Sequence, residues 1–372
     1  MKKTLLLLTC ILALVALAIP FQLSAQTITT FDAPGAGTAP GQGTFPNSIN
    51  PAGAITGLYH DAASAYHGFL RAPDGTFTTF DAPGAGTGAG QGTSAQENNP
   101  GGAIVGAYID AANVSHGFLR APDGTFTTFD APGAGTGAGQ GTSGYDINPA
   151  GEIAGSYLDA ANVFHGYIRT RQGKITTFDV VGAGTGFYQG TFDCSVDCLS
   201  PSGEIAGTYA DAAYVYHGYL RLPDGSITTF DVPGAGTGSG QGTFSLGNTP
   251  NGAIMGGYTD ASGVNHGFVR DPSGRVTTFD IPAAGTGAGQ GTNGYGAGIN
   301  SAGAIAGEYV DVSSVYQGYV RTPDGEITTF HVPGAGTGAG QGTVPYANNS
   351  ANEIVGYYTD DSGLNHGFLR SK

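Results

Sequence analysis

Tryptophan is absent from the 372-residue chain, methionine occurs twice and cysteine three times. Basic residues are scarce as well: 13 Lys and Arg stand against 28 Asp and Glu, charged residues make up 11% of the chain, and the net charge is −15. Without a basic footprint the chain is not expected to bind nucleic acid or an anionic membrane surface. Beyond residue 25 no apolar run reaches the roughly 18 residues a membrane span needs. No apolar series keeps a helical spacing for the length of a helix either. What the chain has in quantity is glycine, 67 residues, and proline, 20. That composition borders on low complexity, yet 40% hydrophobic and 10% aromatic content supplies a core, which leaves an ordered, turn-rich fold.

The longest apolar run lies at the start. Lys2 and Lys3 precede residues 5–19, and Leu23-Ser24-Ala25 ends in small residues, the pattern of a secretory signal peptide over 1–25. The protein is therefore expected to be exported, whether it stays periplasmic, sits on the cell surface or is extracellular, with 26–372 as a single domain. In an oxidising compartment Cys194 and Cys198 are predicted to form a disulfide, which requires the chain between them to turn.

Internal repetition dominates the rest. Thr-Thr-Phe-Asp or a close variant recurs with its Phe at 31, 80, 129, 178, 230, 279 and 330. One unit contains four short segments bounded by turn residues, 142–148, 152–159, 165–169 and 174–179, which read as strands a to d. Pro-Ala-Gly and Pro-Asp-Gly between them are tight turns. The chain after residue 25 starts with a lone strand d and stops after a strand c. The expected fold is thus all-β, a seven-bladed β-propeller with four antiparallel strands per blade, closed by the N-terminal strand completing the last blade.

One departure from the repeat identifies a side-chain pair. Strand c begins with His67, His116, His165, His217, His266 and His366, but with Gln317 in the sixth unit. Fourteen residues later stand Asp81, Asp130, Asp179, Asp231 and Asp280, but His331 after Gln317. Both partners change together, so the two positions are expected to share a hydrogen bond. The partner of His366 can then only be Asp32, across the closure.

The run Ile147-Asn148-Pro149-Ala150-Gly151-Glu152-Ile153-Ala154-Gly155, followed by His165-Gly166-Tyr167-Ile168-Arg169, resembles the bacterial HAF family of extracellular repeats. The resemblance touches every unit. It implies an exported repeat protein of undefined activity and brings no catalytic residues.

Each b-to-c loop opens with an acidic residue: Asp61, Asp110, Asp159, Asp211, Asp260, Asp311 and Asp360. Ca²⁺ is the cation such oxygen ligands would take, but no Asp-x-Asp-x-Asp spacing clusters them, so hydrogen bonding to loop amides is the expected role. The repeated arginine at the far end of strand c, such as Arg71, is expected to pair with carboxylates or carbonyls. The repeated tyrosine of strand b, such as Tyr59, is expected to cover the glycine two residues before it, with sugar stacking as its alternative role. Residues copied in every unit do not define one catalytic centre. The expected function is a non-enzymatic binding or scaffold module that recognises a protein or glycan. The alternatives are a polysaccharide-active hydrolase or lyase with one site in the central channel, and a self-associating structural surface protein.

Overall fold

The structure, a computed structural model, describes residues 26–192, 198–293 and 298–371. The expected leader and Cys194 lie outside the described residues; Cys198 is buried and disulfide-bonded. All the regular elements described are β-strands, and they join into one continuous sheet.

The first repeat contains the pattern of the whole: β1 (Thr27–Phe31), β2 (Gly43–Ile49), β3 (Ile55–His60), β4 (Tyr66–Arg71) and β5 (Phe77–Phe80). β2 to β5 form an antiparallel meander in which Thr44 faces Tyr59, Tyr59 faces His67 and Gly68 faces Phe80. Turn chemistry ends each strand. The Asn50 side-chain oxygen accepts the amides of Ala52 and Ala54. Asp74 accepts the Thr76 amide in the next turn, where Gly75, at φ 90°, makes the left-handed step that a side chain would resist.

β1 belongs to the other end of the chain. It pairs antiparallel with the last strand, Asn365–Ser371, from Thr27 against Ser371 to Phe31 against Gly367. Gly43 pairs in parallel with Asn365, as Gly92 does with Tyr66 between the first two units. A Cβ on Gly43 would sit 1.9 Å from the Asn365 carbonyl oxygen, so this junction demands glycine. The result is a closed, propeller-like ring of four-stranded units, in which two strands that would be exposed edges pair with each other.

The core lies between units rather than within them. Ile55 and Phe69 of the first unit pack with Ala347 and Val355 of the last, and Ala206 packs with Ile254 and Phe268 of the following unit. A second seam runs outside it. The Phe80 ring lies so close over Gly68 that a Cβ there would come within 2.4 Å, and the Arg120 guanidinium of the next unit sits 4.8 Å from the ring centre. Phe31, Gly367 and Arg71 repeat this across the closure, with Arg71 4.7 Å from the Phe31 ring. Part of the expectation for the repeated arginine holds, since Arg221 and Arg321 donate to the carbonyls of Leu222 and Thr322. The arginine's main partner, however, is an aromatic face of the neighbouring unit, which shields a weakly hydrated guanidinium as a carboxylate in water would not. It also explains glycine after each strand-c histidine: the Phe ring occupies the space of a methyl group.

Candidate functional site

At the end of the strands where the d-to-a and b-to-c loops meet, each histidine that opens a strand c lies between two carboxylates. Its Nδ1 is 2.7–2.9 Å from Asp81, Asp130, Asp179, Asp231 or Asp280, and for His366 the partner is Asp32 at 2.9 Å. Its Nε2 is 3.5–3.6 Å from the loop residue Asp61, Asp110, Asp159, Asp211, Asp260 or Asp360. In the variant unit His331 Nδ1 lies 3.2 Å from Gln317 Oε1, and the Gln317 amide donates to Asp311 at 3.4 Å.

The loop aspartates are already engaged. Asp159 Oδ1 accepts the Ala161 and Val163 amides at 2.8 and 2.9 Å, and Asp61, Asp110, Asp211, Asp260, Asp311 and Asp360 make the same pair of bonds. Among the described residues no group of three or more metal-ligating side chains converges. In Asp110 the Val114 amide, against the opposing effect of burial, holds the carboxyl below its ordinary value, helped by Ala112 and His116. In Asp61, Asp159, Asp211 and Asp260 burial is the largest influence and opposes ionisation, yet two amides and the histidine still win. A carboxylate with a depressed folded pKa stabilises above its unfolded value, about 3.9, and loses that contribution as pH falls below it. Thermal melts are therefore expected to fall as pH drops below about 4, because these groups act in the same direction; a melting temperature unchanged from about pH 4 to about pH 2.5 would contradict the network.

The tyrosines behave differently from expectation. Tyr59 stacks on His67, with ring centroids 5.0 Å apart and planes 22° apart, and lies against Gly35; Gly57 is covered by Phe69 instead. The register explains it, since Tyr59 and His67 are direct cross-strand neighbours whose side chains share a face. Buried and stacked in this way, Tyr59 has no ring face left for a sugar.

At the opposite end a relay of asparagines circles the axis. Asn50 donates to the Asn99 carbonyl, Asn99 to Asn148, Asn148 to Ser200, Asn300 to Asn349, and Asn349 back to Asn50. These turns line an axial cavity of about 190 Å³ that also receives the buried carboxylates Glu97 and Asp146. Ser48 donates to Glu97 at 3.1 Å and the Leu199 amide to Asp146 at 2.7 Å. Burial pushes the Asp146 carboxyl up to about 6 against its amide donors. The two occupy one position of the repeat in the second and third units, where the first unit has Ser48 and the last Ala347, so no motif running through all the units singled them out.

Back at the loop end, departures from the repeat open two adjoining cavities. The residue after each Gln-Gly-Thr is Phe45, Phe192 or Phe244 in three units, but Ser94 and Ser143 in the second and third. There the cavities measure about 210 and 190 Å³ and share Ser115, Ser143 and Tyr145. Among the described residues no charged side chain lines either one. From Phe164, at the edge of the second cavity, the rings of Phe192, Tyr216 and Phe244 follow one another through the corresponding space of the next units, tilted and with centroids 4.5, 5.9 and 4.6 Å apart. The signal was present in the sequence as serine where rings stand in other units.

No protein-family model matches the chain, and no curated protein matches it in sequence. Among solved structures it is similar to a puromycin hydrolase, at 14% identity and a TM-score of 0.51, over 89% of this chain and 50% of that one. It is similar to a prolyl endopeptidase at 13% identity and a TM-score of 0.51, over 91% and 50%. The chain thus spans about half the length of these enzymes, and the likeness is one of fold alone. A lectin of Aleuria aurantia matches at 13% identity and a TM-score of 0.43, over 81% of this chain and 96% of the lectin, too distant to bear on function. Among the described residues no helix is long and apolar enough to cross a membrane.

Proposed function

We propose that the chain is an exported, non-enzymatic β-propeller of seven blades that acts as a binding or scaffold module at the cell exterior, recognising a glycan or a protein. One observation carries this reading. The charged side chains repeated in the units engage one another or the scaffold, whereas three departures from the repeat, Ser94, Ser143 and Tyr188, gather around neutral, hydroxyl-lined cavities at one end of the ring. Fold alone does not decide function, and sites do. The test is a bacterial and plant glycan array probed in millimolar Ca²⁺ and in chelator. Specific signal that survives chelation is expected, because the loop aspartates are already bonded to amides. Signal lost with chelator would make them a metal site, and silence in both would remove the glycan and leave a protein partner.

A second reading, a polysaccharide-active hydrolase or lyase working in the central channel, is favoured by Glu97 and Asp146 at the axial cavity. Release of reducing ends from a soluble polysaccharide by the native protein, lost in Asp146→Asn, would establish it.

A further inference from the structure

The residue before each Gln-Gly-Thr is glycine at Gly41, Gly90, Gly139, Gly240, Gly289 and Gly340, with φ between 76° and 81°, and tyrosine at Tyr188, with φ 55°. The backbone is the same in all: the amide of Gly139 donates to Asn113 and that of Tyr188 to the equivalent Asn162. Tyrosine in this left-handed conformation is strained, and glycine is not. The ring is only partly covered, by Phe164 and Phe187, and Tyr188 remains 43% exposed. Tyr214, another left-handed residue at φ 60°, donates its hydroxyl to the Phe187 carbonyl at 2.8 Å and so fixes the pair. Strain held against stability at an exposed aromatic is a feature to expect of recognition sites.

Tyr188 also stands over a cavity. It lines the one shared with Ser115, Ser143, Ser156 and Tyr145, and its ring meets Phe164 edge-on at 5.7 Å. Ser115 and Ser143 bring their hydroxyls within 3.2 Å of each other on the cavity wall. Taken with the adjoining cavity, the space reaches the lower part of the roughly 300–1,000 Å³ range of small-molecule sites. Neutral hydroxyls, tyrosine faces and the absence of charge among the described lining residues suit one ligand chemistry: a ring with an apolar C–H face, several hydroxyls and no ionised group.

We infer that the cleft of the second and third units, capped by Tyr188, is the single binding site of this chain for a neutral saccharide. This rests on the glycan-binding reading above and narrows it to one place. A ring of equivalent sites does not follow from the structure, because the other units fill the corresponding space with Phe or lack the capping tyrosine.

The experiment is saturation-transfer NMR with the purified protein and the methyl glycosides of glucose, galactose, mannose, fucose and N-acetylglucosamine, run beside thermal melts. Tyr188→Gly restores the residue of the other units, and Ser143→Phe introduces the ring found at Phe45, Phe192 and Phe244. The native protein is expected to bind at least one glycoside, and each variant to bind it about tenfold more weakly or worse, as for a central aromatic contact. Tyr188→Gly is expected to melt no lower than the native protein, which a purely structural tyrosine would not allow. Binding unchanged in both variants, or a lower melting temperature for Tyr188→Gly, would overturn the site while leaving a glycan-binding module standing. Native protein that binds none of the glycosides would overturn the site, and together with a silent array the glycan reading itself.

Discussion

A chain shortened to begin at Ala33 should lose its cooperative melt, whereas one beginning at Gln26 keeps it. The seven residues removed supply the whole of β1, the Phe31 ring that fills the space over Gly367 and carries Arg71, and the Asp32 carboxylate bonded to His366. Truncating a fully buried Phe costs about 3–5 kcal/mol, and the half-buried Phe31 contributes a share of that. Losing a paired strand as well brings the total to the same order as the stability of a whole domain, roughly 5–15 kcal/mol. The strand Asn365–Ser371 would become an open edge, so self-association should accompany the loss. Circular dichroism melts and light scattering report both. A truncated chain that melts within a few degrees of the longer one, as a monomer, would mean that the ring does not depend on its closure.

Glu308→Gln should raise stability, and the gain should depend on pH. Glu308 lies buried on the strand Ile305–Val310 with one carboxylate oxygen accepting from Asn293 at 2.9 Å and the other without a hydrogen-bond partner among the described residues. Burial pushes its carboxyl up to about 8, against the Asn293 amide, and the charge in turn raises Tyr319 and Tyr357, whose burial already does so. A raised folded pKa favours the neutral acid, so stability is full below the unfolded value of about 4.3 and falls as pH rises toward the folded one. At pH 7 the cost is on the order of 3 kcal/mol. The variant and native proteins should therefore melt together near pH 4 and separate by several degrees near pH 8, with the variant higher. A difference of equal size at both pH values would assign the effect to packing rather than ionisation.

Much of the frame could be read from the sequence because its causes are local. Turn residues punctuate each strand, and the unpaired first strand and missing last strand imply the pairing of Thr27–Phe31 with Asn365–Ser371. The histidine pair was legible for a related reason: Gln317 and His331 change together at a spacing set by one hairpin. Contacts between units left no such trace. Arg120 and Phe80 are far apart in the chain and meet only because the ring brings one unit's strand c against the preceding strand d. Tyr59 departs from expectation within its own unit: its stacking on His67 follows from the register of one hairpin, not from the glycine two residues before it. Around the candidate site the informative residues are those that break the repeat, Ser94, Ser143 and Tyr188. A search for repeated chemistry passes over them.

The asparagine relay has a direction and an interruption. Each side chain donates forward to the next turn, but the Ser200 and Thr249 hydroxyls are too short to do so and bond within their own turns, to Ser202 and Ala253. Local opening starts where the fewest bonds must break together. The turns at Ser200 and Thr249 are therefore expected to open first, and their amides should exchange protons with solvent sooner than those of the turns at Asn50, Asn99 and Asn349.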